Sequence, residues 1–233
     1  MAEPDPPHLA PEPGPASGRL SVAPVTLPAD LGPPGRHPVE PDGTAAAAYV
    51  PPASGPRRLV VVLHGAGGRP DDALRLLRPV ADAAGLLLLA PASTGSTWDL
   101  VRGGYGPDVT RIDRCVAAVS ARYRVRPDGY VLAGFSDGAS YALSLGVASG
   151  DLVRAVVAFS PGFLAAPLRT GRPPVFVSHG TADRVLPVDR CSRRIVPRLR
   201  RDGYDVAYEE FAGGHEVPAW VVDRAVAWLD GLG

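Results

Sequence analysis

An α/β fold on a mostly parallel, doubly wound sheet, with helices on both faces, follows from three observations. Short apolar runs recur at Leu59–Leu63, Leu86–Ala90, Tyr130–Ala133, Ala155–Phe159, Val175–Ser178 and Val206–Phe211. Stretches with helical spacing separate most of these runs. Most of the runs are continuous rather than alternating, which marks strands covered on both faces. In open sheets of this kind ligands gather at the carboxyl ends of the strands, so chemistry is expected just after each run.

The elements follow in order. Residues 1–35 are rich in Pro, Gly and Ala and carry few bulky apolar side chains. Such a stretch buries too little to offset its ordering entropy, so a flexible tail is expected, with an outer strand near 19–25 as the one exception. The domain proper spans 36–233, and between its first prolines only Thr44–Val50 reads as a strand. A helix is expected over Asp72–Ala84, shortened or kinked at Pro79. Asp108 is placed to cap a helix that turns Val109, Ile112, Val116 and Val119 inward. From Pro187 onward Val188, Cys191, Ile195 and Leu199 form a stripe, and at the end of the chain Val217, Trp220, Val221 and Trp228 form another. The arginines between 193 and 201 fall mostly opposite the first stripe and read as a solvated face. The stretch between Phe159 and Pro173 is too short for a lid domain, so an open site is expected.

Composition narrows the function. The 233 residues carry 24 basic and 24 acidic groups and no net charge, which gives no electrostatic footprint for nucleic acid or an anionic membrane. Every basic side chain is Arg, and the chain has no Lys, Asn or Gln. A P-loop lysine, a lysine Schiff base and N-glycosylation are therefore excluded. Cys115 and Cys191 belong to no metal-binding or disulfide pattern and read as buried thiols. No apolar run is long enough for a membrane span. The first residues lack the apolar region of a secretory signal, so a cytoplasmic protein is expected.

The segments after the strands carry the chemistry. Gly134-Phe135-Ser136-Asp137-Gly138 follows an apolar run and opens a helical stretch, the context in which G-x-S-x-G forms a nucleophile elbow. Ser136 is the expected nucleophile. Of the five histidines, His8 and His37 lie in Pro-rich sequence, while His64 and His179 precede a Gly at a strand end, where imidazole packs and bonds to backbone. His215, in a Gly-flanked loop after the last run, is left as the base. Asp183, past the run Val175–Ser178, is favoured over Asp189 and Asp205 as its carboxylate partner, in the chain order Ser, Asp, His. The amide of Asp137 and that of Ala66, in His64-Gly65-Ala66-Gly67-Gly68, are the expected oxyanion donors. That Gly-rich loop has neither G-x-G-x-x-G spacing nor a P-loop ending, so a dinucleotide is not indicated. Trp98, Tyr105, Phe163, Val185 and Leu186 are candidate walls for the substrate.

Leu63-His64-Gly65, the Gly134–Gly138 elbow, His179-Gly180-Thr181-Ala182-Asp183-Arg184-Val185-Leu186-Pro187 and Gly214-His215 together resemble the phospholipase/carboxylesterase family of α/β-hydrolases, which includes acyl-protein thioesterases. They are also similar to polyhydroxybutyrate depolymerase-like and feruloyl esterases. The resemblance runs from about Arg57 to Leu232. It implies an α/β-hydrolase fold and hydrolysis of a small-molecule carboxylic ester, thioester or lysophospholipid without a cofactor. It also likens Trp98-Asp99 to the segment flanking the acyl groove. The chain departs from the family at Asp137, where Gln is common. The rival readings are a polymer or feruloyl-type esterase of the same mechanism, and a non-catalytic binding protein on this fold.

Overall fold

The structure, a computed structural model, describes residues 12–27 and 29–232. Eight strands form one sheet in the order β1-β2-β4-β3-β5-β6-β7-β8. They are β1 (Gly35–Val39), β2 (Ala46–Val50), β3 (Arg58–Leu63), β4 (Leu86–Pro91), β5 (Tyr130–Phe135), β6 (Val153–Phe159), β7 (Val175–Gly180) and β8 (Val206–Phe211). From β4 to β8 every pairing is parallel; β1 and β2 join antiparallel at one edge. The helices are α1 (Pro70–Ala81), α2 (Pro107–Ser120), α3 (Asp137–Ala148), α4 (Ser192–Arg201) and α5 (Ala219–Asp230).

Alternate residues of the strands feed two cores. Leu59, Val61 and Leu63 of β3 face Val109, Ile112, Val116, Leu143 and Ile195, on the side of α2, α3 and α4. Val60 and Val62 face Leu74, Leu77, Val221 and Ala225, on the side of α1 and α5. This is the two-sided burial that the continuous Val and Leu runs require.

Several elements differ from the sequence reading. β1 forms despite Pro38, because an edge strand needs only one of its two rows of backbone donors. The outer strand that residues 19–25 could have made does not form, and the described part of the expected tail is packed down. Leu20 is fully buried in the larger core. Both carboxylate oxygens of Asp113, on α2, accept from the Ser21 amide at 3.0–3.1 Å, and one accepts from the Ser21 hydroxyl at 2.7 Å. The Val22 amide donates to the same carboxylate. A side chain thus takes the N–H groups that a strand would give to a neighbour. Residues 1–11 of that tail lie outside the described residues. Asp108 is not a cap: α2 begins at Pro107, and the Asp108 carboxylate reaches back to the Thr94 and Asp99 amides. Of the two effects expected of Pro79, shortening is the one seen: the proline sits in the last turn of α1, which ends at Ala81 and not at Ala84. On α5 the buried stripe is Val221, Val222, Ala225, Val226 and Leu229, while Trp220 stays 47% exposed.

Candidate active site

The elbow is built by two glycines and one strained serine. A Cβ at Gly134 would press on the Gly138 backbone, and a Cβ at Gly138 on the carbonyls of Leu63 and His64. Without those side chains, β5, the start of α3 and the end of β3 can meet. Ser136 sits between them at φ 58°, ψ −120°, a left-handed conformation that L-residues adopt only under constraint. Its amide donates to Phe159 O at 3.0 Å and its carbonyl accepts from the Ser140 amide at 3.0 Å. The hydroxyl is thereby held at the carboxyl end of β5, over the first turn of α3.

The loops after β7 and β8 are laced together. Thr181 N–H donates to Phe211 O at 2.8 Å and Ala182 N–H to Gly213 O at 2.9 Å. A Cβ at Gly180 would lie 2.5 Å from Gly213 O, so only glycine permits this approach. The lacing brings Asp183 and His215 together. His215 Nδ1 lies 2.6 Å from Asp183 Oδ2, and His215 Nε2 lies 2.9 Å from Ser136 Oγ. The other oxygen, Asp183 Oδ1, accepts from the amides of Val185 at 2.9 Å and Leu186 at 2.8 Å. Burial pulls the Asp183 pKa upward, but the hydrogen bonds from His215 and the two amides outweigh it, and the carboxyl is held below its usual value.

The other strand-end histidines are occupied elsewhere. His64 is buried, with Nδ1 donating to Gly65 O at 2.8 Å and Nε2 accepting from the Ser93 amide at 3.1 Å. His179 is fully buried between Leu186 O and the Ser192 hydroxyl, both at 2.7 Å, with Nε2 also 3.3 Å from Asp183 Oδ2. Burial lowers the pKa of both, so both are neutral structural groups at pH 7.

The Gly65–Gly68 loop approaches Ser136 closely: a Cβ on Gly65 would lie 3.5 Å from Ser136 Cβ. Ala66 beside it is exposed, and Asp137 is half-buried at the first turn of α3. Among the described residues neither amide has a protein acceptor.

The proposed walls divide. Leu186 is half-buried against Gly162, Phe163 is half-buried nearby in sequence, and Val185 is 65% exposed. Trp98, in contrast, is fully buried, so it cannot touch a substrate. Its Nε1 donates to His64 O at 2.8 Å, and its ring stacks on Tyr141 with centroids 5.1 Å apart. Tyr105, half-buried, points its hydroxyl at Ala165 O and lays its ring beside Tyr141 and Gly18. Phe135, inside the elbow motif, packs its ring on His215 with centroids 4.6 Å apart, a contact that its motif position does not signal. Among the described residues no group of His, Cys, Asp or Glu is arranged to hold a metal ion. A cavity of about 600 Å³ lined by Arg169, Arg172, Asp202 and Tyr204 opens at the amino ends of β7 and β8, the opposite end of the sheet from Ser136. No helix among the described residues is long and apolar enough to cross a membrane.

No protein-family profile and no curated protein sequence matches the chain. Solved structures do match. Esterase PE8 is 25% identical with a TM-score of 0.67, covering 80% of this chain and 97% of its own. The S-formylglutathione hydrolase FrmB from Staphylococcus aureus is 16% identical with a TM-score of 0.68, covering 85% and 99%. The Bacillus cereus carboxylesterase is 19% identical with a TM-score of 0.62, covering 82% and 96%. The chain has the α/β-hydrolase fold of these esterases.

Proposed function

We propose that the protein is a serine carboxylesterase that hydrolyses small carboxylic esters through an acyl-enzyme. The observation that carries this reading is the unbroken line from Asp183 Oδ2 through the His215 imidazole to Ser136 Oγ, at 2.6 and 2.9 Å, on a strained elbow. Asp183 fixes the imidazole with Nδ1 protonated, leaving Nε2 free to accept the Ser136 proton. Ser136 Oγ attacks the ester carbonyl, and the proton taken by His215 passes to the leaving alkoxide. Water then attacks the acyl-enzyme, with His215 again as base, releasing the acid. The unpaired amides of Ala66 and Asp137 receive the oxyanion in both steps. Removing one such donor typically costs about 10²–10³-fold in kcat.

The residues around Ser136 support a small, open substrate site. The Ser160–Ala166 loop is pinned to α3, with Gly162 N–H on Ser140 Oγ at 2.8 Å and Ala165 N–H on Ser144 Oγ at 3.0 Å. Leu186 packs on Gly162. We take Phe163, Val185 and Leu186 as the apolar rim of the site; the short connection between β6 and β7 leaves no room for a lid domain, which favours short acyl groups over lipid chains. Turnover of p-nitrophenyl esters from acetate to palmitate tests this. A maximum in kcat/KM at the short end is expected, and a maximum at palmitate would overturn it.

A further inference from the structure

One short segment, Ser93–Trp98, touches both the loop that carries Ala66 and the start of α3 that carries Asp137, the two proposed oxyanion donors. Three of its contacts act on the loop that carries Ala66. Gly67 N–H donates to Ser96 O at 2.6 Å, the Ser93 amide donates to His64 Nε2 at 3.1 Å, and Trp98 Nε1 donates to His64 O at 2.8 Å. A fourth acts on the other donor residue: the Thr97 hydroxyl donates to Asp137 Oδ2 at 2.7 Å. The Ala66 loop leaves the end of β3 and Asp137 is the first residue of α3, and this segment bridges the two.

The segment is itself anchored from behind. Asp108, fully buried, accepts from the Thr94 amide at 2.6 Å and the Asp99 amide at 2.8 Å, while Asp99 accepts from the Asp108 amide at 2.9 Å. The Tyr141 hydroxyl donates to Asp99 at 2.8 Å, beneath the Trp98 ring. Two buried carboxylates are costly unless hydrogen-bonded, and here they are satisfied chiefly by the backbone they hold in place. An oxyanion gains from its donors only when both lie about 2.7–3.1 Å from where it forms. The packing of Gly138 on the end of β3 brings the two segments together, and the cross-link fixes the spacing of their amides.

We propose that Ser93–Trp98 is a clamp that sets the spacing of the two oxyanion donors, with Thr97 as the positioning residue that hooks Asp137. The proposal rests on the esterase reading of Ser136 and of the Ala66 and Asp137 amides. The test compares Thr97→Val with Thr97→Ser in the full chain, using p-nitrophenyl acetate and a trifluoromethyl ketone that mimics the tetrahedral intermediate. A misplaced donor acts on the transition state and not on ground-state binding. Thr97→Val should therefore lower kcat about tenfold and leave KM within about twofold. Ketone affinity should fall by the same factor as kcat/KM. Thr97→Ser should recover activity to within about threefold of wild type, since the hydroxyl returns. Adding Thr97→Val to Asp137→Ala should cost nothing further, because the pair acts as one hook. A wild-type kcat in Thr97→Val, an equal loss in Thr97→Ser, or a loss of kcat with unchanged ketone affinity would overturn the clamp. Absence of Ser136-dependent turnover in the wild type would instead overturn the esterase reading. Amide hydrogen exchange across residues 64–69 would then decide the clamp: faster exchange in both Thr97→Val and Trp98→Phe supports it, and unchanged exchange overturns it.

Discussion

Adding one methyl group at Gly138 separates the elbow geometry from ordinary helix propensity, because the two predict opposite signs. Gly138 lies in the first turn of α3, and Ala in place of Gly inside an unobstructed helix stabilises by about 1 kcal/mol. The space is not free, however. A Cβ would stand 2.5 Å from His64 O and 2.6 Å from Leu63 C, where ordinary contact begins at 3.4 Å, and it would come closer still to Leu63 O. These are backbone atoms at the end of a central strand, so no side chain can swing aside. Overpacking costs about 1–3 kcal/mol where neighbours can yield, and the upper end applies here. At about 2–4 °C per kcal/mol for a chain of this size, Tm should fall by about 6–12 °C. The relief that is available is to push the elbow off β3, and a displacement on the order of 1 Å there should cost about 100-fold in kcat/KM. Calorimetric melting and ester turnover of Gly138→Ala provide the assay. Gly214→Ala is the melting control, since a Cβ there meets nothing within 4 Å. A Tm at or above wild type in Gly138→Ala would refute the packing of the elbow against β3.

The N-terminal segment and the buried histidines make further predictions. Leu20 is fully buried, so Leu20→Ala should destabilise by about 2–5 kcal/mol in thermal or urea melts. A change under about 0.5 kcal/mol would show that the segment is a passenger. His64 and His179 have depressed pKa values when folded, whereas in the unfolded chain each takes a proton near about pH 6.5. Below that value the unfolded state binds more protons, so their contribution is full above about pH 6.5 and is lost as pH falls toward the folded values. The depressed pKa of Asp183 adds a second loss below about pH 4. Tm should therefore decline as pH falls below about 6.5, with a further loss below about 4; a Tm that rises as pH falls from about 6.5 would contradict the neutral burial of these imidazoles.

The sheet was legible in the sequence because strands covered on both faces leave continuous runs. β8, read as Val206–Phe211, has those bounds, and β5 and β7 extend the reading by two residues each. That Ser136, His215 and Asp183 would come together was legible because each follows a strand, and the topology of such a sheet gathers those ends. What was not legible depended on side chains acting in place of backbone. Asp113 holds Ser21 and Val22 as a neighbouring strand would, and no local pattern announces that. Asp108 resembled a cap because it opens a helix, yet its carboxylate serves a loop that precedes it in the chain. Trp98 resembled a groove wall by its place in a motif, and only tertiary packing shows it sealed between His64 and Tyr141. Thr97 carried no signal at all, since its meaning lies in a contact with Asp137, distant in sequence.

If Ser136 is the nucleophile and His215 its base, covalent capture of the serine shows it without reference to any substrate. After exposure of the native chain to a fluorophosphonate, intact-mass spectrometry should find one adduct, mapped by peptide digestion to Ser136. Ser136→Ala should acquire none, and His215→Ala should label at least about 100-fold more slowly, because the hydroxyl then lacks its base. An adduct that persists in Ser136→Ala, or labelling of His215→Ala at the wild-type rate, would rule out this nucleophile and base.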